Sequence, residues 1–181
     1  GFQQLFQYYD KYFPLLINMI RKYNWISGID LDIEEIVYLS DVKKIIRDIY
    51  IEFGHSFIIS MAPIQSSLSS DFPGMGGFIY KDLYNSTEGK LVHYFNTQAY
   101  FNYSLQTLQN IVNNGYEPNK IVLGTLSGQF TNNFELFIDI LIKCIHQFPN
   151  WGGVYNWEYY TSPPDINNPS KWAQEIYNIL K

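Results

Sequence analysis

Two periods of apolar and polar residues run along this chain, and the switches between them mark its elements. From 2 to 23, Phe6, Tyr9, Phe13, Leu16, Ile17 and Ile20 recur at a spacing of about 3.6 residues, which predicts an amphipathic helix. Pro14 falls inside it, as a kink or a late start. Residues 28–34, Gly-Ile-Asp-Leu-Asp-Ile-Glu, alternate strictly between apolar and acidic and predict a strand. A helix over 39–53 follows, with Ser40 as its N-cap, Val42, Ile45, Ile46 and Ile49 on its inner face, and a stop before Gly54. The run Phe57 to Ala62 is apolar apart from Ser60, the pattern of a strand buried on both faces.

Residues 63–89 hold Pro63, Pro73, Gly74, Gly76, Gly77 and several serines, and predict a long functional loop with one turn of helix. Further strands are predicted at 91–100, 120–126 and 154–157. Helices are predicted at 104–113 behind Ser104, at 131–147 behind Thr131, and at 170–180 from Ser170. The order is a helix followed by repeated strand–helix units, which argues for an α/β fold with a parallel sheet and crossover helices. A complete (β/α)8 TIM barrel takes about 250 residues and eight strands. Five strands behind a leading helix therefore fit an incomplete barrel, strands 4 to 8 with their helices. A five-stranded doubly wound sheet fits the count as well, but no glycine-rich phosphate turn follows any strand.

Composition narrows the function classes. The 181 residues are 46% hydrophobic, 18% aromatic and only 16% charged, so a real core is expected and disorder is not. A net charge of -5 without basic clusters argues against a nucleic-acid partner. The single cysteine, Cys144, excludes an intrachain disulfide and a multi-thiolate metal site. No apolar run reaches the roughly 18 residues of a membrane span, and no signal-peptide pattern opens the chain. His55, His93 and His146 lie far apart and read as structural or surface residues. Ser60 and Ser66 lack a nucleophile-elbow setting. Asn85-Ser86-Thr87 and Asn102-Tyr103-Ser104 match the glycosylation acceptor pattern, which also arises by chance in an Asn-rich chain.

The acidic strand carries the chemistry. Alternate residues of a strand face one way, which puts Asp30, Asp32 and Glu34 on one face at a spacing of about 6.6 Å, with Leu31 and Ile33 behind them. Three like charges on an inward face demand that some hold protons or meet a ligand. A proton shared between Asp32 and Glu34 raises the apparent pKa of one of them, which makes an acid for a leaving group near neutral pH. The bland alternative is a solvated acidic edge strand, in which Leu31 and Ile33 still need a core partner. A divalent cation is a rival occupant, but no His or other ligand recurs at usable spacing.

The segment Ser27-Gly28-Ile29-Asp30-Leu31-Asp32-Ile33-Glu34 resembles the fourth-strand signature Asp-Gly-x-Asp-x-Asp-x-Glu of glycoside hydrolase family 18, the chitinase family, with Ser27 the one departure. Four further segments resemble the same family in its own order. Ser60-Met61-Ala62-Pro63 is similar to the end of its fifth strand, Gln98-Ala99-Tyr100 to the Gln-x-Tyr of its sixth, and Val122-Leu123-Gly124 to its seventh. Gly152-Gly153-Val154-Tyr155-Asn156-Trp157 is similar to its eighth.

This resemblance implies hydrolysis of β-1,4-linked N-acetylglucosamine polymers with retention, in which the substrate's own acetamido oxygen attacks the anomeric carbon. It implies Glu34 as general acid and base, and Asp32 as the residue that orients the acetamido group and steadies the oxazolinium. Asp30 lies beneath Asp32 and tunes its proton affinity. Tyr100 donates to the acetamido oxygen, Gln98 adds a polar contact, and Trp157 stacks under the sugar, with Asn156 beside it. Met61 lines the cleft floor or packs the barrel. The implied partner is chitin or another N-acetylglucosamine oligosaccharide, with no cofactor, no metal, no nucleic acid and no membrane, in an extracellular or secreted setting. A chitinase-like lectin and an endo-β-N-acetylglucosaminidase acting on N-glycans are the alternatives. Because an open five-stranded barrel exposes two edges, the chain is expected to be the C-terminal part of one catalytic barrel over 1–181, completed by the N-terminal strands of a longer polypeptide.

Overall fold

The computed structural model of the chain describes residues 1–180. The opening amphipathic stretch folds as two helices, α1 (Phe2–Gln7) and α2 (Tyr9–Lys22). The break falls at Tyr8 rather than at Pro14. Tyr8 closes the first helix through its N–H to Gln4 O, and its own carbonyl opens the second by accepting from the N–H groups of Lys11 and Tyr12. Pro14 sits within α2, where it offers no backbone N–H.

Strand β1 (Gly28–Leu31) is shorter than the alternation predicts. Helix α3 (Leu39–Phe53) and strand β2 (Ile58–Met61) follow. The registers Gly28↔Ile58 to Leu31↔Met61 are parallel, and the N–H of Ala62 gives the last bond, to Leu31 O. The strand ends there, and residues 32–34 run on outside it. In α3 the predicted face is borne out: Val42, Ile45, Ile46 and Ile49 have no exposed surface, and each such burial stabilises by about 1.5–3 kcal/mol. Ser40 is not the N-cap. The Tyr38 carbonyl accepts from the N–H groups of Asp41 and Val42, so the helix has already begun when Ser40 is reached. Gly54 ends it at φ 77, a left-handed conformation that suits glycine, with its N–H on Tyr50 O.

Residues 63–89 are more structured than one turn of helix. They contain α4 (Gln65–Ser69) and α5 (Tyr80–Tyr84), and a 3-10 turn follows at Gly89–Leu91. Buried Leu68, Tyr80 and Leu83 hold these pieces down, although each is too short to show a period in the sequence. Strand β3 (Tyr94–Gln98) pairs in parallel with β2, Ser60↔Tyr94 and Met61↔Phe95.

Helix α6 (Leu105–Asn113) starts as predicted, with Ser104 Oγ accepting from the N–H of Thr107 at 3.1 Å. Strand β4 (Ile121–Leu126) leads through a 3-10 turn, Ser127–Phe130, to α7 (Phe134–Gln147). Asn133, not Thr131, caps α7, its side chain accepting from the N–H of Leu136. The 3-10 turn draws Thr131 in, and its hydroxyl bonds back to Ser127 O. Strand β5 (Gly153–Trp157) pairs in parallel with β4 from Val122↔Gly153 to Leu126↔Trp157, and α8 (Ser170–Leu180) closes the chain's regular structure.

The strands lie in the order β1-β2-β3-β4-β5. Each step advances by one strand in chain order, the winding of a (β/α)8 barrel. A doubly wound sheet reverses its order at a switch point, and this one does not. The chain divides into two compact units, Gly1–Phe95 and Asn96–Lys181. The first is cored by α3, β2 and α5 through Ile45, Ile49, Ile59, Met61 and Leu83. The second is cored by Leu108, Ile121, Leu123 and Leu141, with Phe137 stacked on Tyr103 at 5.2 Å and tilted against Phe130 and Trp172. Cys144 is buried there, and burial pushes its thiol up to about 12, so it is a packing residue. Among the described residues no helix is long and apolar enough to cross a membrane.

Candidate active site

In the first unit the alternation of the acidic segment survives the end of its ladder. Leu31 and Ile33 are 1% and 2% exposed, while Asp30, Asp32 and Glu34 are exposed. The expected buried trio is therefore corrected: the carboxylates meet solvent, and β1 is the first strand of the sheet order. Solvent lowers the cost of their like charges without removing it. Asp32 is held above the ordinary aspartate range, first by partial burial, then by the negative fields of Glu34 and Asp30. The flanking carboxylates thus act on Asp32 electrostatically, and it holds its proton more tightly than an ordinary aspartate.

Asp30 is anchored from the neighbouring strand. Ser60 stands opposite it in the β1–β2 register and donates its hydroxyl to Asp30 Oδ1 at 2.5 Å. Ser60 is only 3% exposed, so this is its buried polar outlet. The sequence reading dismissed Ser60 as a nucleophile and missed it as a support. A lone hydroxyl in an otherwise apolar buried strand was the available signal. Met61, next in β2, has no exposed surface and packs the core, the second of its two expected roles; a direct sugar contact is set aside. His93 is structural: its Nδ1 accepts from the N–H of Ile59 at 3.1 Å, beside a ladder bond from its own N–H to Ile59 O.

In the second unit Gln98 ends β3, and Gln98 and Tyr100 are half-buried, alternating with fully buried Thr97 and Ala99. The Tyr155 hydroxyl donates to the Tyr100 oxygen at 3.4 Å. Tyr155 lies opposite Gly124 in register, and a Cβ on Gly124 would stand 2.1 Å from the Tyr155 ring, so only glycine admits it. Asn156 is clamped on both ends of its amide. Its oxygen accepts from Thr125 Oγ1 at 3.0 Å and its nitrogen donates to Ser162 Oγ at 2.9 Å, with Thr125 and Ser162 both buried. Trp157, the last residue of β5, is 60% exposed, a large apolar ring left to solvent at the strand's C-terminal end. Active sites of parallel barrels are built at that end of the strands. Among the described residues no group of His, Cys, Asp and Glu is arranged to hold a metal ion.

No family model matches the sequence, and no curated protein does. Solved structures do. A chitinase from Aspergillus fumigatus is 28% identical at a TM-score of 0.78, over 95% of this chain and 64% of its own. A fungal endo-β-N-acetylglucosaminidase from glycosyl hydrolase family 18 is also 28% identical, at a TM-score of 0.80, over 97% of this chain and 62% of its own. A third structure, from Streptomyces coelicolor, matches at 17% identity and a TM-score of 0.62, covering 89% of this chain and 63% of that one, and shows the fold alone. The chain thus spans less than two thirds of the length of the structures it matches. Over those five strands it resembles glycoside hydrolase family 18, as part of that family's catalytic barrel.

Proposed function

We propose that the chain carries the catalytic face of a chitinase-like glycoside hydrolase that cleaves β-1,4-linked N-acetylglucosamine polymers with retention. The observation that carries this reading is Asp32, raised by burial and by two flanking carboxylates, two residues before Glu34. In the proposed reaction Glu34 gives its proton to the glycosidic oxygen as that bond breaks. The substrate's acetamido oxygen bonds to the anomeric carbon, forming an oxazolinium. Asp32 orients the acetamido N–H and offsets the positive charge. Glu34, now a carboxylate, takes a proton from water as the water's oxygen bonds to the anomeric carbon and the acetamido oxygen leaves. Two inversions give net retention, without a second carboxylate as nucleophile.

Supporting roles follow from side-chain chemistry. Ser60 keeps Asp30 fixed beneath Asp32. Tyr100, which accepts from Tyr155, donates to the acetamido oxygen, and Gln98 adds a polar contact. Trp157 presents its ring to the C–H face of a sugar, and Asn156 is held rigid beside it. The remaining part of the barrel, supplied by further polypeptide, is the proposed partner. An insoluble polymeric substrate places the protein outside the cell that makes it. The equal identity to an endo-β-N-acetylglucosaminidase favours one second reading, cleavage in the N-glycan core, where the same acetamido group recurs. A lectin without turnover fits less well, because the acid Glu34 is present.

The test is incubation of the protein with chitin oligomers and, separately, with chitobiose-core glycans, following the first-formed anomer by proton NMR. Cleavage of the oligomers with a β-anomeric product is expected. An α-anomeric product rejects the mechanism, and cleavage of the core glycans alone selects the second reading. A structural prediction accompanies it. Gly124→Ala forces the Tyr155 ring aside and takes its hydroxyl off Tyr100. Turnover should fall about tenfold, less than the ~10²-fold of a misplaced reacting group, since Tyr155 acts through Tyr100. Initial rates, with circular dichroism as a fold control, check it; an unchanged rate dismisses Tyr155 as a support for Tyr100.

A further inference from the structure

In the first unit the sheet lets go of the acidic segment before it reaches Glu34. Strand β1 ends at Leu31, and Glu34 lies three residues further on, exposed to solvent. An acid that must meet a glycosidic oxygen within hydrogen-bond reach needs a fixed backbone, because an error of about 1 Å in placement can cost ~10² in rate. The restraint is found just past Glu34, where the chain bends at Glu35. Glu35 Oε2 accepts from the backbone N–H of Gln3, in the first turn of α1, at 2.8 Å. The Gln3 side chain in turn donates its Nε2 to the Ile36 carbonyl at 3.0 Å. On the other side the N–H of Val37 donates to Gly76 O at 3.0 Å. Gly76 lies so close to the acidic segment that a Cβ on it would stand 3.0 Å from Ile33 Cγ2. Three consecutive residues after Glu34 are thus tied to two separate segments, and Ile33 before it is buried.

These bonds do more than start a helix. A cap for α1 would need only the Gln3 N–H, whereas the return bond to Ile36 O and the tie from Val37 to Gly76 act on the bend. Polar contacts at an exposed surface add little to the stability of a whole fold, so their effect is local. They also separate two neighbouring glutamates of the same chemistry: Glu34 is left to solvent, and the Glu35 carboxylate is engaged by α1. We infer that Glu35 and Gln3 are positioning residues, which hold the bend so that Glu34 keeps one orientation where the ladder no longer sets it. This deepens the reading of Glu34 as the acid and rests on it. Side chains that do chemistry are held in place by such supporting hydrogen bonds, and here the support comes from a helix that precedes the strand.

The experiment compares Glu35→Ala, Glu35→Gln and Gln3→Ala with the parent. It reads initial rates on N-acetylglucosamine oligomers, thermal melting, and amide hydrogen exchange at Ile36 and Val37. Glu35→Ala and Gln3→Ala should lower kcat about three- to tenfold, less than loss of the acid itself, with KM within about twofold. Glu35→Gln keeps an oxygen for the Gln3 N–H and should stay within about twofold of the parent in kcat. Melting should be little changed, and exchange at the two amides should quicken in both alanine variants. Parent kcat in Glu35→Ala overturns the inference, as does a fall in kcat without faster exchange. An equal fall in Glu35→Gln overturns it too, because the carboxylate itself and not the bond it accepts would then matter. So does a fall that follows a lowered melting temperature, which makes Glu35 a stability residue only. If the parent turns over no oligomer, the glycosidase reading fails on its own, and exchange decides the restraint: quickened in the alanine variants, it stands; unchanged, it falls.

Discussion

A Glu34→Gln protein should bind N-acetylglucosamine oligomers as the parent does and turn them over about 10²–10⁴-fold more slowly, the usual contribution of a positioned acid–base group. The amide keeps the shape of the acid but has no proton to give near neutral pH and no carboxylate to receive one from water. Glu34 is exposed and lies beyond the end of β1, so the change leaves the ladder and the core untouched. Surface changes of that kind stay within about 0.5 kcal/mol. The loss should therefore appear in kcat with KM and thermal stability unchanged, as measured by initial rates and calorimetry. Undiminished turnover by Glu34→Gln would dismiss Glu34 as the acid.

Asp32→Asn should move activity and stability in opposite directions. Asp32 binds its proton more tightly in the folded chain than in the unfolded one, because of burial and then of Glu34 and Asp30. A carboxyl raised in this way makes the fold less stable as pH climbs from the ordinary aspartate range through its raised value, and the loss persists above it. Asparagine has no charge to develop. The variant should match the parent in acid and exceed it at pH 7, by at most about 1 kcal/mol because solvent screens an exposed group. Turnover should fall about 10²–10³-fold, as expected for loss of a group that stabilises developing charge. Urea denaturation at both pH values, beside rate measurements, checks the pair of effects. A variant less stable than its parent at pH 7 would mean that the Asp32 carboxylate supports the fold rather than burdening it.

The two effects describe one compromise. Leu31 and Ile33 fix the acidic segment to the core, and the same alternation brings three carboxylates together at a cost in repulsion. That cost is tolerable because the carboxylates are solvated and because Ser60 holds Asp30 in place. Sites that gather like charges for chemistry give up stability where they do so. The sequence pattern showed the gathering, but it overstated the burial. Alternation tells which residues share a face, whereas exposure depends on what covers that face.

The course of the chain was legible in local chemistry. Val42, Ile45, Ile46 and Ile49 marked the inner face of α3, Gly54 its end and Ser104 the start of α6. Each of those signals acts over a few residues, through side-chain period, a left-handed stop or a cap to the third residue on. The signals that misled were local ones overruled by a neighbour. Ser40 lost its cap to the earlier turn at Tyr38, and Thr131 lost its own to a 3-10 turn and Asn133.

From the sequence alone came the strand–helix order, the acidic alternation and the choice of Gln98, Tyr100 and Trp157 as the residues to watch. Only the tertiary structure set where β1 stops. Only it joined Ser60 to Asp30, Tyr155 to Tyr100, and Asn156 to Thr125. It alone bent Phe101 into the left-handed region against Gln129. The physical reason is range: propensity and period act between residues a few places apart, while a ladder's end, a cross-strand hydroxyl or a buttressed turn depends on groups about thirty or more residues away that only folding brings together.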